Sequence, residues 1–147
     1  MMPDRIKQWA MELGMAAEVY ALDVFVLAAI MDRERRGGEA LTPKGPHGVG
    51  DQGHGRGLMQ IDDRWHKLFV ATGLWQEPIF NFMYAARLLR QNLDAAKGDL
   101  RQAVAAYNCG WGNVQRAMLA YQDPDRFTAH GDYSQDVLKR AEEFKKT

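Results

Sequence analysis

Three carboxylates carry the chemical possibilities of this chain: Glu34, Asp51 and Asp62. Glu34 closes a largely apolar segment in "AAIMDRERRGG". A carboxyl held against an apolar wall resists ionisation, so its pKa rises, and one still protonated near neutral pH can serve as a general acid. Asp51 and Asp62 stand 11 positions apart within the glycine-rich run "GVGDQGHGRGLMQID", residues 48–62. Two carboxylates facing a third suit glycosidic bond cleavage, in which one group protonates the leaving oxygen and another activates water. Each residue also has a plain structural use. Glu34 can be a solvated helix-end glutamate paired with Arg33, Arg35 or Arg36. Asp51 can be a turn residue among glycines, and Asp62 a cap for "DRWHKLF".

Other motifs are weaker. His47, His54 and His66 fit no standard zinc spacing and have no cysteine nearby, so no metal and no cofactor is expected; His66 reads better as a polar group lining a cleft. "GVGDQG" matches a dinucleotide-binding glycine pattern literally, but no strand precedes it and no βαβ unit surrounds it. "AAYNCGWGNV" places Tyr107 and Asn108 at a helix end beside a glycine turn, where a hydroxyl and an amide can meet sugar hydroxyls. Trp65, Trp75 and Trp111 can stack on sugar faces or simply fill core.

These residues need elements to hold them. Ile6, Trp9, Ala10, Leu13, Ala17 and Tyr20 share one face, which predicts a helix over about 3–20. Asp23 is the expected N-cap of a central, buried helix over 24–35. Residues 37–57 read as loop. Pro78 opens a long helix that ends near Gly98, and Asp99 caps a short one over 100–107. "YNCGWGN" reads as a turn, 114–121 as helix, and Asp132 as the cap of a last helix over 133–145. No stretch alternates as a strand, so a mostly helical single domain over residues 1–147 is expected.

Composition narrows the classes. A hydrophobic fraction of 46% can build a core. Lys plus Arg and Asp plus Glu balance at 19 each, which leaves no basic footprint for nucleic acid. The single cysteine, Cys109, forbids an internal disulfide. The longest uncharged apolar run, Val24–Met31, has 8 residues, against the about 20 that span a bilayer. No membrane insertion is expected, and the N-terminus shows no signal-peptide pattern.

Taken together, "IMDRE", "GVGDQGHGRGLMQID", "AAYNCGWGNV" and "HGDYSQDVLKRA", in that order between about Asp23 and Phe144, resemble goose-type lysozymes and, more distantly, soluble lytic transglycosylases. The resemblance implies a mainly α, lysozyme-like fold with at most a small β element at the glycine-rich loop. It implies cleavage of the β-1,4 bond between N-acetylmuramic acid and N-acetylglucosamine. Glu34 stands where the family keeps its catalytic acid, and Asp51 and Asp62 where goose-type enzymes keep two aspartates that hold the attacking water. Gln60, His66, Tyr107, Asn108 and Tyr133 match substrate-cleft positions. In that setting the glycines let the backbone approach a sugar chain, and Leu58 and Met59 anchor the loop to the core.

Arg35 departs from the family, which usually has Ser after the glutamate, and the stretch from Glu34 to Asp51 is longer than usual. The expected activity is an inverting muramidase that lyses bacterial walls. The alternatives are a lytic transglycosylase forming 1,6-anhydromuramic acid ends and a catalytically weak peptidoglycan-binding domain. The expected partner is the peptidoglycan glycan strand, met by a monomer. Without an export signal, the expected route to the wall is holin-type release as a phage endolysin, or another non-classical export.

Overall fold

The computed structural model describes residues 1–146. Helices α1 (Asp4–Lys7), α2 (Ala10–Val19) and α3 (Val24–Arg35) come first. Three short strands follow, β1 (Val49–Gly50), β2 (Gly55–Arg56) and β3 (Ile61–Asp62). Helices α4 (Lys67–Ala71), α5 (Pro78–Ala95), α6 (Leu100–Cys109), α7 (Trp111–Tyr121) and α8 (Tyr133–Lys145) complete the fold. It is the expected mainly helical fold with a small β element.

The apolar run predicted to be central is central. Val26, Leu27, Ala28, Ala29, Ile30 and Met31 are all at most 2% exposed, with α3 packed against α8 and α2. Asp23 starts the helix as expected, its Oδ1 accepting the Phe25 N–H at 2.8 Å. Asp99 does the same for α6, accepting from Gln102 N–H at 3.1 Å.

Three local expectations differ, and one helix falls where none is predicted. The helix over 3–20 breaks at Gln8–Trp9, where Trp9 N–H bonds Ile6 O and the turn tightens. The Arg5 carbonyl thus freed accepts from Gln8 Nε2. The "YNCGWGN" turn shrinks to Gly110, at φ 86, with α6 and α7 running up to it on either side. Helix α4 buries none of its residues, so it leaves no apolar stripe to read. At α8, Asp132 is not the side-chain cap, because its carboxylate takes a charge-assisted bond from Arg33 at 2.9 Å. Buried Asp125 caps instead, accepting from the N–H groups of Ser134 (2.8 Å) and Gln135 (3.1 Å) and from Ser134 Oγ (2.8 Å).

The glycine-rich run is more ordered than a loop. Its strands form an antiparallel sheet in the order β1-β2-β3, with Gly50 opposite Gly55 and Gly55 opposite Asp62. Leu58 and Met59 are fully buried, as expected of anchors, and Ile61 nearly so. The Met59 backbone is held from both sides. Its N–H donates to Asn81 Oδ1 of α5 at 2.8 Å, and its carbonyl accepts from the Tyr107 hydroxyl of α6 at 2.7 Å. Asn81 also donates to the carbonyls of Arg56 and Trp75, so one buried amide pins the sheet to α5. A Cβ on Gly50 or Gly55 would run into the Gln60 side chain, so glycine is what lets the strands close over it.

Candidate active site

A cleft of about 890 Å³ runs between the end of α3, the small sheet and the α6–α7 corner. Glu34, Asp51 and Asp62 all line it, so the structure brings the three predicted carboxylates to one cavity.

Glu34 projects from the last turn of α3, the helix that fills the core. The alternative of a helix-end ion pair does not hold. Among the described residues, Arg33 binds Asp136 and Asp132, Arg36 reaches Glu39, and Arg35 donates to the backbone carbonyl of Glu34 rather than to its carboxylate. The direct partner of the carboxyl is the Tyr133 hydroxyl, which donates to Oε1 at 2.6 Å. Burial pushes the Glu34 pKa up to about 7. The Tyr133 bond, Arg35 and Arg33 pull the other way, and the negative charge of Asp51 adds to the rise.

Tyr133, predicted to face substrate, stands behind Glu34, 1% exposed and off the cleft wall. Arg33 lies over its ring, 5.2 Å from the centroid, while gripping Asp132 just before α8 and Asp136 in its first turn. The end of α3 and the first turn of α8 are therefore locked together, which fixes the hydroxyl against the carboxyl.

The aspartates occupy the opposite kind of surroundings. Asp51 sits at the β1–β2 turn with φ 48 and its side chain 59% exposed, and Asp62 ends β3. Arg64 joins them. Its Nε and terminal nitrogen contact both Asp62 oxygens at 3.0 and 2.6 Å, and the same terminal nitrogen is 3.3 Å from Asp51 Oδ2. The Arg64 side chain holds the Asp62 carboxyl below its usual range. Neighbouring Asp63 is occupied by His54 (2.8 Å) and Arg56 (3.0 Å). His54, Asp62 and Asp63 bring possible ligand atoms within 4.8 Å of one another, but both carboxylates already carry guanidinium partners. His47 and His66 stand outside that group.

The other predicted residues divide between cleft wall and scaffold. Gln60 lines the cleft with φ 54, donates from Nε2 to Gly57 O, and tucks its oxygen under Gly50 and Gly55. His66 lines the cleft with Nδ1 fixed 2.9 Å from the Tyr84 hydroxyl, and burial lowers its pKa. Tyr107 lines the cleft while its hydroxyl donates to Met59, so its lone pairs are what it can offer a ligand. Asn108 lines it too, its Oδ1 accepting from Ala129 N–H at 2.9 Å, which leaves its amide N–H groups to face a ligand. Trp111 is on the wall, Trp65 is 80% exposed at the rim, and Trp75 is core, with Arg56 over its ring.

Sequence reasoning missed Arg64, Asn81 and Asp125. The pairing of Arg64 with Asp62 two residues away has a sequence signal, but its reach to Asp51 exists only once the sheet has formed. Asn81 looks like an ordinary helix residue until the sheet docks on it.

The chain matches the family model described as Lysozyme g over residues 3–147. It is 34% identical over 140 residues to "Lysozyme g" of Gallus gallus, covering 87% of this chain and 59% of that relative. It is 33% identical over 151 residues to the Struthio camelus protein of the same name, covering 97% of this chain and 67% of the relative. For "Lysozyme g" of Takifugu rubripes the figures are 32% over 158 residues, 97% and 76%. With the cleft and its carboxylates in place, these matches lead to one conclusion: the chain belongs to the lysozyme g family.

Proposed function

We propose that this chain is a muramidase that hydrolyses the β-1,4 bond between N-acetylmuramic acid and N-acetylglucosamine with inversion at the anomeric carbon, and that it acts as one lysozyme-like domain. Glu34 donates its proton to the glycosidic oxygen as the C–O bond breaks. Asp51 and Asp62 orient a water on the opposite face, and one of them takes the proton that water loses as the new C–O bond forms. Glu34 ends ionised and an aspartate protonated, and exchange with solvent resets both. Inverting sites keep their carboxyls about 6.5–9.5 Å apart to admit that water. His66, Tyr107 and Asn108 are the polar groups offered to the sugar, Gln60 shapes the cleft wall by propping the sheet from beneath, and Tyr133 steadies the acid. A monomer is the proposed acting unit.

The observation that carries this reading is the Glu34 carboxyl, desolvated and, among the described residues, without an ion-pair partner and bound only by the Tyr133 hydroxyl, in the same cleft as two arginine-bound aspartates. The lysozyme g relatives support it by name. Mass spectrometry of digested peptidoglycan tests it. Reducing N-acetylmuramic acid ends are expected. 1,6-Anhydro ends would instead identify a lytic transglycosylase, with Glu34 acting as acid and then as base, and no released muropeptide at all would leave a binding domain. Among the described residues no helix is long and apolar enough to cross a membrane.

A further inference from the structure

Arg64 is the cation that both aspartates share. Its guanidinium meets Asp62 through two nitrogens, and one of these also reaches Asp51 on a different segment of the sheet. Its main chain takes part as well, since Arg64 N–H donates to Asp62 Oδ1 at 2.8 Å. Three of the four oxygens of Asp51 and Asp62 therefore meet Arg64, and Asp51 Oδ1 does not. No other basic side chain substitutes among the described residues. His54 and Arg56 are spent on Asp63, Arg35 turns to the Glu34 carbonyl, and His66, which also lines the cleft, binds Tyr84. Arg64 has no deeper structural duty either: it is about half exposed, and its side-chain polar contacts all go to these two aspartates.

Resting on the hydrolytic reading above, we propose that Arg64 is a positioning residue: its guanidinium fork holds Asp51 and Asp62 together as one water-binding pair, with the free Asp51 Oδ1 left as the proton acceptor. Two carboxylates brought to one cleft repel each other, and a planar fork both offsets that repulsion and sets their relative angle. Asp62, with both oxygens committed to Arg64, orients the water. A lysine can replace the charge but not the fork.

The experiment uses the full-length protein on soluble glycan fragments, with Arg64→Gln and Arg64→Lys. Arg64→Gln is expected to lower kcat by about tenfold or more, since small misplacements of reacting groups are costly. KM should stay within about twofold, and the acid limb of the rate–pH profile should move up, because the guanidinium that holds Asp62 in its ionised form is gone. Arg64→Lys should keep the acid limb in place while recovering only part of kcat. Titration of the Asp62 carboxyl by NMR, which needs no activity, should show it rising in Arg64→Gln. An Arg64→Gln enzyme with wild-type kcat and an unmoved acid limb overturns the proposal, and so does a raised KM at unchanged kcat, which makes Arg64 a substrate contact. Full rescue by lysine shows that charge without the fork suffices, and overturns the proposal too. If the wild-type protein yields anhydro ends or no cleavage, the hydrolytic reading fails and the water-binding pair goes with it. Failure of the arginine proposal alone appears as an unaffected variant of an active hydrolase.

Discussion

The two walls of the cleft treat the same functional group in opposite ways. On the helical wall, Glu34 ends the most deeply buried helix, its arginine neighbours bind elsewhere, and its carboxyl prefers the neutral form. On the sheet wall, Asp51 sits at the β1–β2 turn and Asp62 at the end of β3, the two share a guanidinium, and Asp62 is held in the ionised form. A site that must donate a proton and accept another at one pH needs its carboxyls pushed apart in this way. The difference follows from architecture. A packed helix removes water from a side chain at its end, whereas a glycine-rich sheet edge leaves its side chains wet and within reach of a surface arginine. The same chain thus gives one chemical group two opposite ionisation preferences.

Glu34→Gln breaks the comparison on its helical side and carries the largest expected effect. The amide keeps the shape but has no proton to give, so turbidity clearance should fall by about 10²–10⁴-fold, the usual share of a general acid. Stability should respond in the opposite sense. Below the ordinary pKa of 4.5 Glu34 is protonated folded or unfolded and costs nothing. Between 4.5 and about 7 the folded state retains a proton that the unfolded state releases, so wild-type stability falls as pH rises. Above about 7 the whole penalty is present, at most roughly 3 kcal/mol. Glu34→Gln escapes it. Thermal melts should coincide near pH 4 and separate in favour of the variant by pH 8. Equal melting temperatures at pH 8 would mean that the carboxyl is not held against its preference.

The sheet side is tested by Asp51→Asn and Asp62→Asn. Each should slow hydrolysis, by about 10²-fold where the residue serves as base, and the double variant should be slower than either. Reducing-end assays on all three decide it. Wild-type rates throughout would make the aspartates spectators, and products shifting to anhydro ends would move the reading to transglycosylation.

The helical side of this contrast is legible in sequence and the sheet side only in part, for physical reasons. Val24–Arg35 announces itself because burial on all sides needs an unbroken apolar run, and Asp23 and Asp99 are local caps whose partners lie two or three residues away. The carboxylates and Gln60, His66, Tyr107, Asn108 and Tyr133 are reached through family resemblance and spacing. What each one bonds to is not local. Tyr133 meets Glu34 across 99 residues, and Tyr107 meets Met59 across 48. Two-residue strands have no room for alternation, so β1, β2 and β3 are invisible to a periodicity argument. Asp132 and Asp125 make the same point. Both are aspartates before a helix, but in the folded chain Asp132 binds Arg33 while Asp125 accepts from the helix N–H groups.

Tyr133→Phe tunes the helical side without removing it. The hydroxyl donates to the ionised carboxyl best, and so restrains the rise in its pKa. Its loss should raise Glu34 further and carry the basic limb of the rate–pH profile upward, with a rate loss of several-fold from a less fixed acid. Losing a buried hydrogen bond should also cost about 1 kcal/mol in a denaturant melt. A basic limb that stays in place or moves down would show that Tyr133 does not favour the charged form.

Arg35→Ser is the smallest change and the finest test. Wild-type activity should be bell-shaped, with an acid limb set by the aspartate pair and a basic limb near 7 set by Glu34. Arg35 directly follows Glu34, where the family resemblance implies serine. Its charge favours ionised Glu34, but less than the Tyr133 bond does, because its guanidinium donates to the backbone carbonyl of Glu34 rather than to the carboxyl. Removing it should therefore move the basic limb up by a fraction of a unit, less than Tyr133→Phe does. The acid limb is the internal control. Arg35 also lies against Gly50 at the edge of the sheet, so a variant that merely loosened the sheet would disturb the aspartates as well. Arg64, not Arg35, holds Asp62, and the acid limb should stay fixed. Movement of the basic limb alone keeps the two walls electrostatically separate. Movement of both limbs together would show that Arg35 couples them, and the contrast between the walls would then belong to the cleft as a whole rather than to its two halves.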